Sequence, residues 1–269
     1  MIIKNTPFSV RYCYRIIWSW IRFFFQITIK KNQPHRGKLN FLYFSYEPDY
    51  QYLYLSIQSI IKHTQTDMVG KVFLIEDQKA PFSKEQLQSL KTLCPTLHVL
   101  PIYNFAWGSA LSTYEELQMF LKVSDLMDNE WDLLLKIDSD VLIFNAKKLE
   151  IICQSTIEAI GDGHFLQFKY AQGGLYMLRK HLIQKMFKTT TVEQIDAINK
   201  LTGSVGEDKA ISHLLNKQDK SFFFTRLMLF PDEYNNIEHL NNVQKEFVAL
   251  HCHKDKEQMQ NLSDKFGIL

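Results

Sequence analysis

From Lys38 onward, short apolar runs alternate with stretches of helical period. LNFLYFSY (39–46) reads as a strand closed by the turn signal Glu47-Pro48-Asp49, and Tyr50 to His63 follows as a helix. KVFLIED (71–77) is the next strand. After Pro81, Ser83 and Gln86 have the spacing of a capping box, which opens a helix. LHVLPI (97–102) is a third strand, Thr113 to Met127 a helix, and WDLLLKI (131–137) a fourth strand that is almost wholly apolar. Four strands separated by helices predict an α/β fold with a mostly parallel sheet and right-handed crossovers, with ligands expected beyond the carboxyl ends of the strands.

The second half is less regular. HFLQFKY (164–170), GLYML (174–178), KSFFFTRLML (220–229) and EFVALHC (246–252) read as strands, and His181–Met186 and Glu207–Leu215 as helices. They predict a smaller mixed sheet that continues the parallel one, so that residues 38–269 form a single domain in two halves, meeting near Asn145.

The first 37 residues follow another pattern. Between Arg11 and Lys31 the polar positions are Arg11, Arg15, Ser19, Arg22, Gln26 and Lys30, three or four apart, which puts them on one helix face opposite Ile16, Ile17, Trp20, Ile21, Phe23, Phe24 and Ile27. A cleavable signal peptide is disfavoured, since Arg22 interrupts the apolar run and no small-x-small site follows. A spanning helix would need about 20 uninterrupted apolar residues. Two readings remain: a helix packed on the domain, or a basic, aromatic-rich helix lying in an anionic membrane interface. The unbalanced cations favour the second.

Composition narrows the function. The chain has 31 Lys+Arg against 29 Asp+Glu, a net charge of +2, which disfavours nucleic acid as a partner. The four cysteines, Cys13, Cys94, Cys153 and Cys252, form no CxxC pair, so a zinc ribbon is unsupported and a reducing compartment is expected. A cytoplasmic protein, peripheral on the inner face of a membrane, fits both observations better than a lumenal one. The sequon Asn261-Leu262-Ser263 carries little weight.

The candidate chemistry lies at the end of the fourth strand. Two carboxylates in Asp138-Ser139-Asp140 follow its apolar run, where burying them without partners would be costly. Hard oxygen ligands at this spacing suit Mg²⁺ or Mn²⁺ bridging a diphosphate.

Here the sequence resembles nucleotide-sugar glycosyltransferases of the GT-A fold, most nearly the β1,3-galactosyltransferase and Fringe-like group. Lys136-Ile137-Asp138-Ser139-Asp140-Val141-Leu142-Ile143 is similar to that group's K-x-D-D-D-V-F-V, with Ser139 replacing the middle acid. Tyr170 to Leu178 resembles its Y-x-x-G-G-x-Y-x-L segment, Gly206-Glu207-Asp208 its acidic motif, and His251-Cys252-His253-Lys254 falls where many GT-A enzymes supply a histidine to the metal. The resemblance covers residues 38–256 and lacks the group's cysteine pattern. It implies a nucleotide-binding half at about 38–144 and an acceptor and catalytic half at about 145–256.

It also implies roles. Asp138 and Asp140 would hold Mn²⁺ or Mg²⁺ with His251 or His253 as a third ligand, His251 being preferred because alternation lets only one face the site. An inverting transfer needs a general base, for which Asp208, with Glu207 beside it, is the candidate; helix-start capping is the plain alternative. Gly173 and Gly174 would approach the donor sugar, Lys122 its phosphate, and Ser45 and Tyr46 the nucleotide, with Ser139 between the two acids; Tyr176 is a further ring expected near the sugar. The expected activity is a hexosyltransferase that moves a sugar from a UDP-sugar to a glycan or lipid-linked acceptor in polysaccharide biosynthesis. A haloacid-dehalogenase-like phosphohydrolase shares the strand-DxDV pattern, but its motif normally opens the domain. A nucleotidylyltransferase would carry a glycine-rich loop after the first strand. A nucleotide-sugar-binding module without activity is the non-catalytic alternative.

Overall fold

In the computed structural model, the described residues run from 37 to 268, without 65–66, 106–108, 162–170, 172, 204–205, 218–221, 225–226 and 232–246; of the first 36 only Ile17 and Ile21 are described. The basic aromatic segment 11–31, apart from these two residues, and the expected strand 164–170 therefore lie outside the described residues. Among them, no helix is long and apolar enough to cross a membrane.

The first half follows the sequence closely. β1 (Leu39–Ser45), α1 (Tyr50–His63), β2 (Val69–Asp77), α2 (Lys84–Leu93), β3 (Leu97–Ile102), α3 (Ala110–Leu126) and β4 (Leu133–Ile137) alternate along the chain. The Ser83 hydroxyl accepts from the Gln86 amide at 3.1 Å and the Gln86 side chain accepts from the Ser83 amide at 2.8 Å, completing the expected box. The chain continues through β5 (Val141–Ile143), α4 (Lys147–Gln154), β6 (Ala159–Gly161), β7 (Leu175–Arg179), α5 (Lys180–Phe187), α6 (Val192–Thr202) and α7 (Glu207–Asn216). It ends with β8 (Phe222–Phe224), β9 (Met228–Leu229), β10 (Ala249–His251) and α8 (Lys256–Phe266).

The larger sheet has the order β3-β2-β1-β4-β7-β6-β8. β1, β2, β3 and β4 are parallel, and β7 runs against both β4 and β6. Strands so placed are covered on both faces, which is why LNFLYFS and LLLKI read as near-continuous apolar runs. Alternation then sorts their side chains. Leu39, Phe41, Tyr43, Leu133 and Leu135 join one core with Ile57 and Leu149, while Leu42, Leu134 and Phe73 join the other with Phe120, Leu182 and Ile211.

A smaller sheet, β5-β10-β9, forms a third core with α8 through Leu142, Leu250 and Met259. α1 fastens it to the large sheet. Ser56 donates to the Val141 carbonyl at 2.6 Å and Ser59 accepts from the Ile143 amide at 3.0 Å, so both ends of β5 are held.

Within the expected strands 220–229 and 246–252, the described residues form β8 and β9 in the first and β10 in the second, where Phe247 and Val248 lie outside the strand. Five elements stand where the sequence pattern marked none: β5, β6, α4, α6 and α8. Two of these helices begin at ordinary caps, Thr191 with Gln194 and Asp255 with Gln258. The sequon falls within α8 with Ser263 buried, unlike an exposed acceptor loop. Arg179, fully buried, donates to the carbonyls of Ile152, Cys153 and Ser155 at 2.9–3.0 Å and so closes the carboxyl end of α4.

Candidate active site

The strand order reverses at β1: the chain leaves β1 for β2 on one side, and β4 lies on the other. Such a switch point opens a crevice at the carboxyl ends of the two strands. A cleft of about 260 Å³ lies there, lined by Tyr46 and Asp49 after β1, Asp77 after β2, and Lys136, Asp138 and Ser139 at the end of β4. Glu116 of α3 and Glu207 of α7 close its far wall, and Lys254 completes the rim.

Asp138 and Asp140 meet His251 because of strand pairing. β10 runs antiparallel to β5 with His251 opposite Val141, which brings a residue over a hundred positions away beside the turn. Asp138, Asp140 and His251 each offer a ligand atom within 4.8 Å of the others. His251 Nε2 is 3.9 Å from Asp140 Oδ1. Burial pushes the His251 imidazole below its ordinary pKa, against the pull of Asp140, which favours the neutral form that a metal ligand requires. Two carboxylates and an imidazole are a fitting donor set for Mn²⁺ or Mg²⁺ that shares its remaining positions with phosphate. His253 lies outside this triad, exposed, with its ring 4.5 Å from that of His251.

The turn after His251 is built around Asp140. His253 and Lys254 have φ of +50° and +54°, a conformation that costs a non-glycine residue roughly 1–2 kcal/mol. It directs the Lys254 amide at Asp140 Oδ2, 2.7 Å away, and the Lys254 ammonium at Asp49, 2.9 Å away. The ammonium also stands 5.1 Å from the Tyr46 ring centroid. Burial opposes the Lys254 charge, but Asp49 outweighs it and holds the lysine above its ordinary pKa. Ser139 donates to the same Asp49 carboxylate at 3.2 Å. That bond suits a serine at this position: a carboxylate there would face Asp49 in a buried corner.

On the opposite wall, Lys136 is 5% exposed and holds three segments together. Its ammonium bonds Asp138 and the Gly173 carbonyl, and pairs with Glu207 at 3.5 Å. Burial works against its charge, yet Asp138 and Glu207 raise its pKa above the ordinary lysine value. Burial first, then the Asp208 charge, raises Glu207. Burial and Glu207 raise Glu116 well above the carboxylate range.

The other expected site residues are distributed unevenly. Asp208 follows Glu207 and is half-buried. Its Oδ1 accepts from the Lys209 amide at 2.7 Å, and a Cβ on Gly206 would stand 2.9 Å from that oxygen, so the glycine lets the helix start close under its acid. The Gly174 carbonyl accepts from the Asp138 amide at 3.0 Å, so Gly173 and Gly174 hold the DxD turn from below. Tyr46 lines the cleft. Ser45 is buried at the end of β1 and is not among the lining residues; Lys122 is exposed on α3 and also outside the lining. Tyr176 is fully buried beneath Lys136, stacked on Phe120, rather than open to the cleft. Sequence reasoning gave no role to Lys136, Asp49, Glu116 or Lys254. Lys136 and Lys254 stood inside the recognised motifs, whereas Asp49 passed as a turn signal and Glu116 as an ordinary helix acid.

No family model matches the chain, and no curated protein matches it in sequence. Solved structures match it in shape. The galactosyltransferase LgtC, in complex with donor and acceptor sugar analogs, aligns with a TM-score of 0.55 at 11% identity, over 86% of this chain and 100% of LgtC. The bifunctional glycosyltransferase WbbM in its apo form aligns with a TM-score of 0.53 at 11% identity, over 84% of this chain and 49% of WbbM. The fold is thus that of the GT-A-type glycosyltransferases. The finer likeness to the Fringe-like group rests on the four motifs alone.

Proposed function

We propose that this chain is a metal-dependent glycosyltransferase that moves a sugar from a nucleotide diphosphate sugar, a UDP-sugar in the first instance, to a glycan or lipid-linked acceptor. The observation that carries the reading is the Asp138, Asp140 and His251 triad at the mouth of a cleft placed at the β1/β4 switch point. Mn²⁺ or Mg²⁺ held there supplies charge relief to the departing diphosphate.

The chain's own groups do the rest. The Lys254 ammonium, at the rim beside Asp49 and Tyr46, offers a second positive charge to the phosphates, and the Tyr46 ring a face for the base. Asp208, or Glu207 beside it, which lines the cleft under Lys136, would take the proton of an acceptor hydroxyl. With an acid in that role the transfer inverts the anomeric centre; a product of retained configuration, read from its proton couplings, removes both acids from the base role. The basic aromatic segment 11–31 would hold the enzyme on an anionic membrane near a lipid-linked acceptor.

The test is thermal protection by a UDP-sugar. Protection is expected with Mn²⁺ or Mg²⁺ and absent with chelator, and Asp140→Ala abolishes it. Protection that survives in that variant overturns the metal assignment.

A further inference from the structure

A second cleft lies away from the metal triad, among α5, α6 and α7, with a volume of about 320 Å³. α7 separates the two: Glu207 at its start faces the first cleft, while His213 and Leu214 near its end face the second. A helix of this length spans about 15 Å. The charges of the two clefts are opposed. The first holds five carboxylates among its lining residues, Asp49, Asp77, Glu116, Asp138 and Glu207. Among the described residues lining the second there is none; Lys185, Lys217 and His213 face it, with the hydroxyl residues Thr189 and Thr190 and the amide of Gln194.

The second cleft also has an apolar lining. Met186, Ala197, Ile198, Leu201 and Leu214 line it, and Leu201 is 73% exposed, the most exposed large aliphatic side chain among the described residues. Met186 and Ile198 belong to the core beneath, so the apolar floor is fixed by packing rather than formed by loops. Burial and the Lys217 charge hold the His213 imidazole below its ordinary pKa. A preformed cleft of small-molecule size lined by both cations and aliphatic carbons, with no carboxylate among its described lining residues, suits a ligand that carries a negative head and an apolar part.

We propose that this cleft binds a small amphiphile bearing a phosphate monoester head, with the phosphate between Lys185, Lys217 and His213 and the apolar part along Ile198 and Leu201. The site is independent of the proposed transfer reaction.

The test uses the full chain in chelator, with the histidine ring resonances followed by NMR and that of His213 identified by its loss in His213→Gln. Three probes are titrated below their micelle concentrations: dihexanoyl phosphatidic acid, inorganic phosphate and dihexanoyl phosphatidylcholine. The expected result is a saturable shift of the His213 resonance with phosphatidic acid, weakened about tenfold or more in a Lys185→Gln/Lys217→Gln variant. Both lysines are exposed, so the variant is expected to keep the wild-type melting temperature. Inorganic phosphate binding as tightly overturns the amphiphile, phosphatidylcholine binding as tightly overturns the anionic head, and no saturable shift, or one unchanged in the double variant, overturns the site.

Discussion

Two lysines flank the DxD turn, and they are set in opposite ways. Lys136 lies in the sheet, 5% exposed, and joins β4 to the glycine turn and to the start of α7. Lys254 lies on a turn outside any regular element, its side chain half exposed, in backbone that costs energy to hold. The buried lysine is part of the frame: removing its charge strands the acids around it. The half-exposed one sits at the rim, where its ammonium can meet a ligand phosphate while it pairs with Asp49. One wall of the cleft is thus built to keep its shape and the other to respond to a ligand.

The most severe way to break this contrast is Lys136→Met, which leaves Asp138 and Glu207 without their ammonium. A loss of about 3–5 kcal/mol in unfolding free energy is expected in urea titration. A loss below about 1 kcal/mol would show that the wall does not depend on this charge. Ser139→Asp comes next. It returns the resembled motif to three consecutive acids but sets a carboxylate against Asp49, and about 1–3 kcal/mol of stability should be lost. Asp49→Asn in the same chain should restore most of it, because the repulsion needs both charges; additive losses would show that repulsion from Asp49 is not what keeps an acid out of position 139.

Lys254→Ala is expected to act on ligand more than on the fold. The variant leaves the Asp49 carboxylate, whose side chain is 6% exposed, with Ser139 as a donor but without its ammonium, so about 1–2 kcal/mol of stability should be lost, less than in Lys136→Met. Nucleotide affinity, measured by calorimetry with Mn²⁺, should fall about tenfold, the worth of one charge-assisted contact. Equal losses in Lys254→Ala and Lys136→Met, in either measurement, would erase the distinction between the walls.

The same distinction governs what the sequence reveals. β1, α1, β3 and the Ser83 cap are legible to the residue or nearly so, because local rules decide them: apolar runs, turn residues and capping spacing. Asp138 and Asp140 are legible because carboxylates ending an apolar strand are costly without a purpose. His251 is legible through resemblance, but its place depends on β10 pairing with β5, a contact between distant segments. The Lys136 and Lys254 networks are illegible for the same reason. Each lysine meets residues brought together by the sheet or by α1, so no local period or spacing marks it. Tyr176 shows the converse error: an aromatic next to a glycine pair reads as a sugar platform, yet alternation along β7 turns it into the core.

The smallest expected effect is also the one that separates frame from chemistry on the Lys136 wall. Glu116 lines the cleft and is 8% exposed, and burial with the neighbouring Glu207 lifts its pKa well above the carboxylate range. A carboxyl group whose folded pKa is raised holds its proton more tightly folded than unfolded, so it favours the fold at pH below the ordinary carboxylate value and loses that contribution as pH rises through the folded value. Glu116→Gln keeps the shape and removes this titration. Relative to wild type, the variant should therefore gain in melting temperature between mildly acid and mildly alkaline buffer, and the gain should shrink as the pH is lowered. A difference that stays constant across that range means Glu116 titrates alike in the two states, and the acids facing Lys136 are then not held in a shared field.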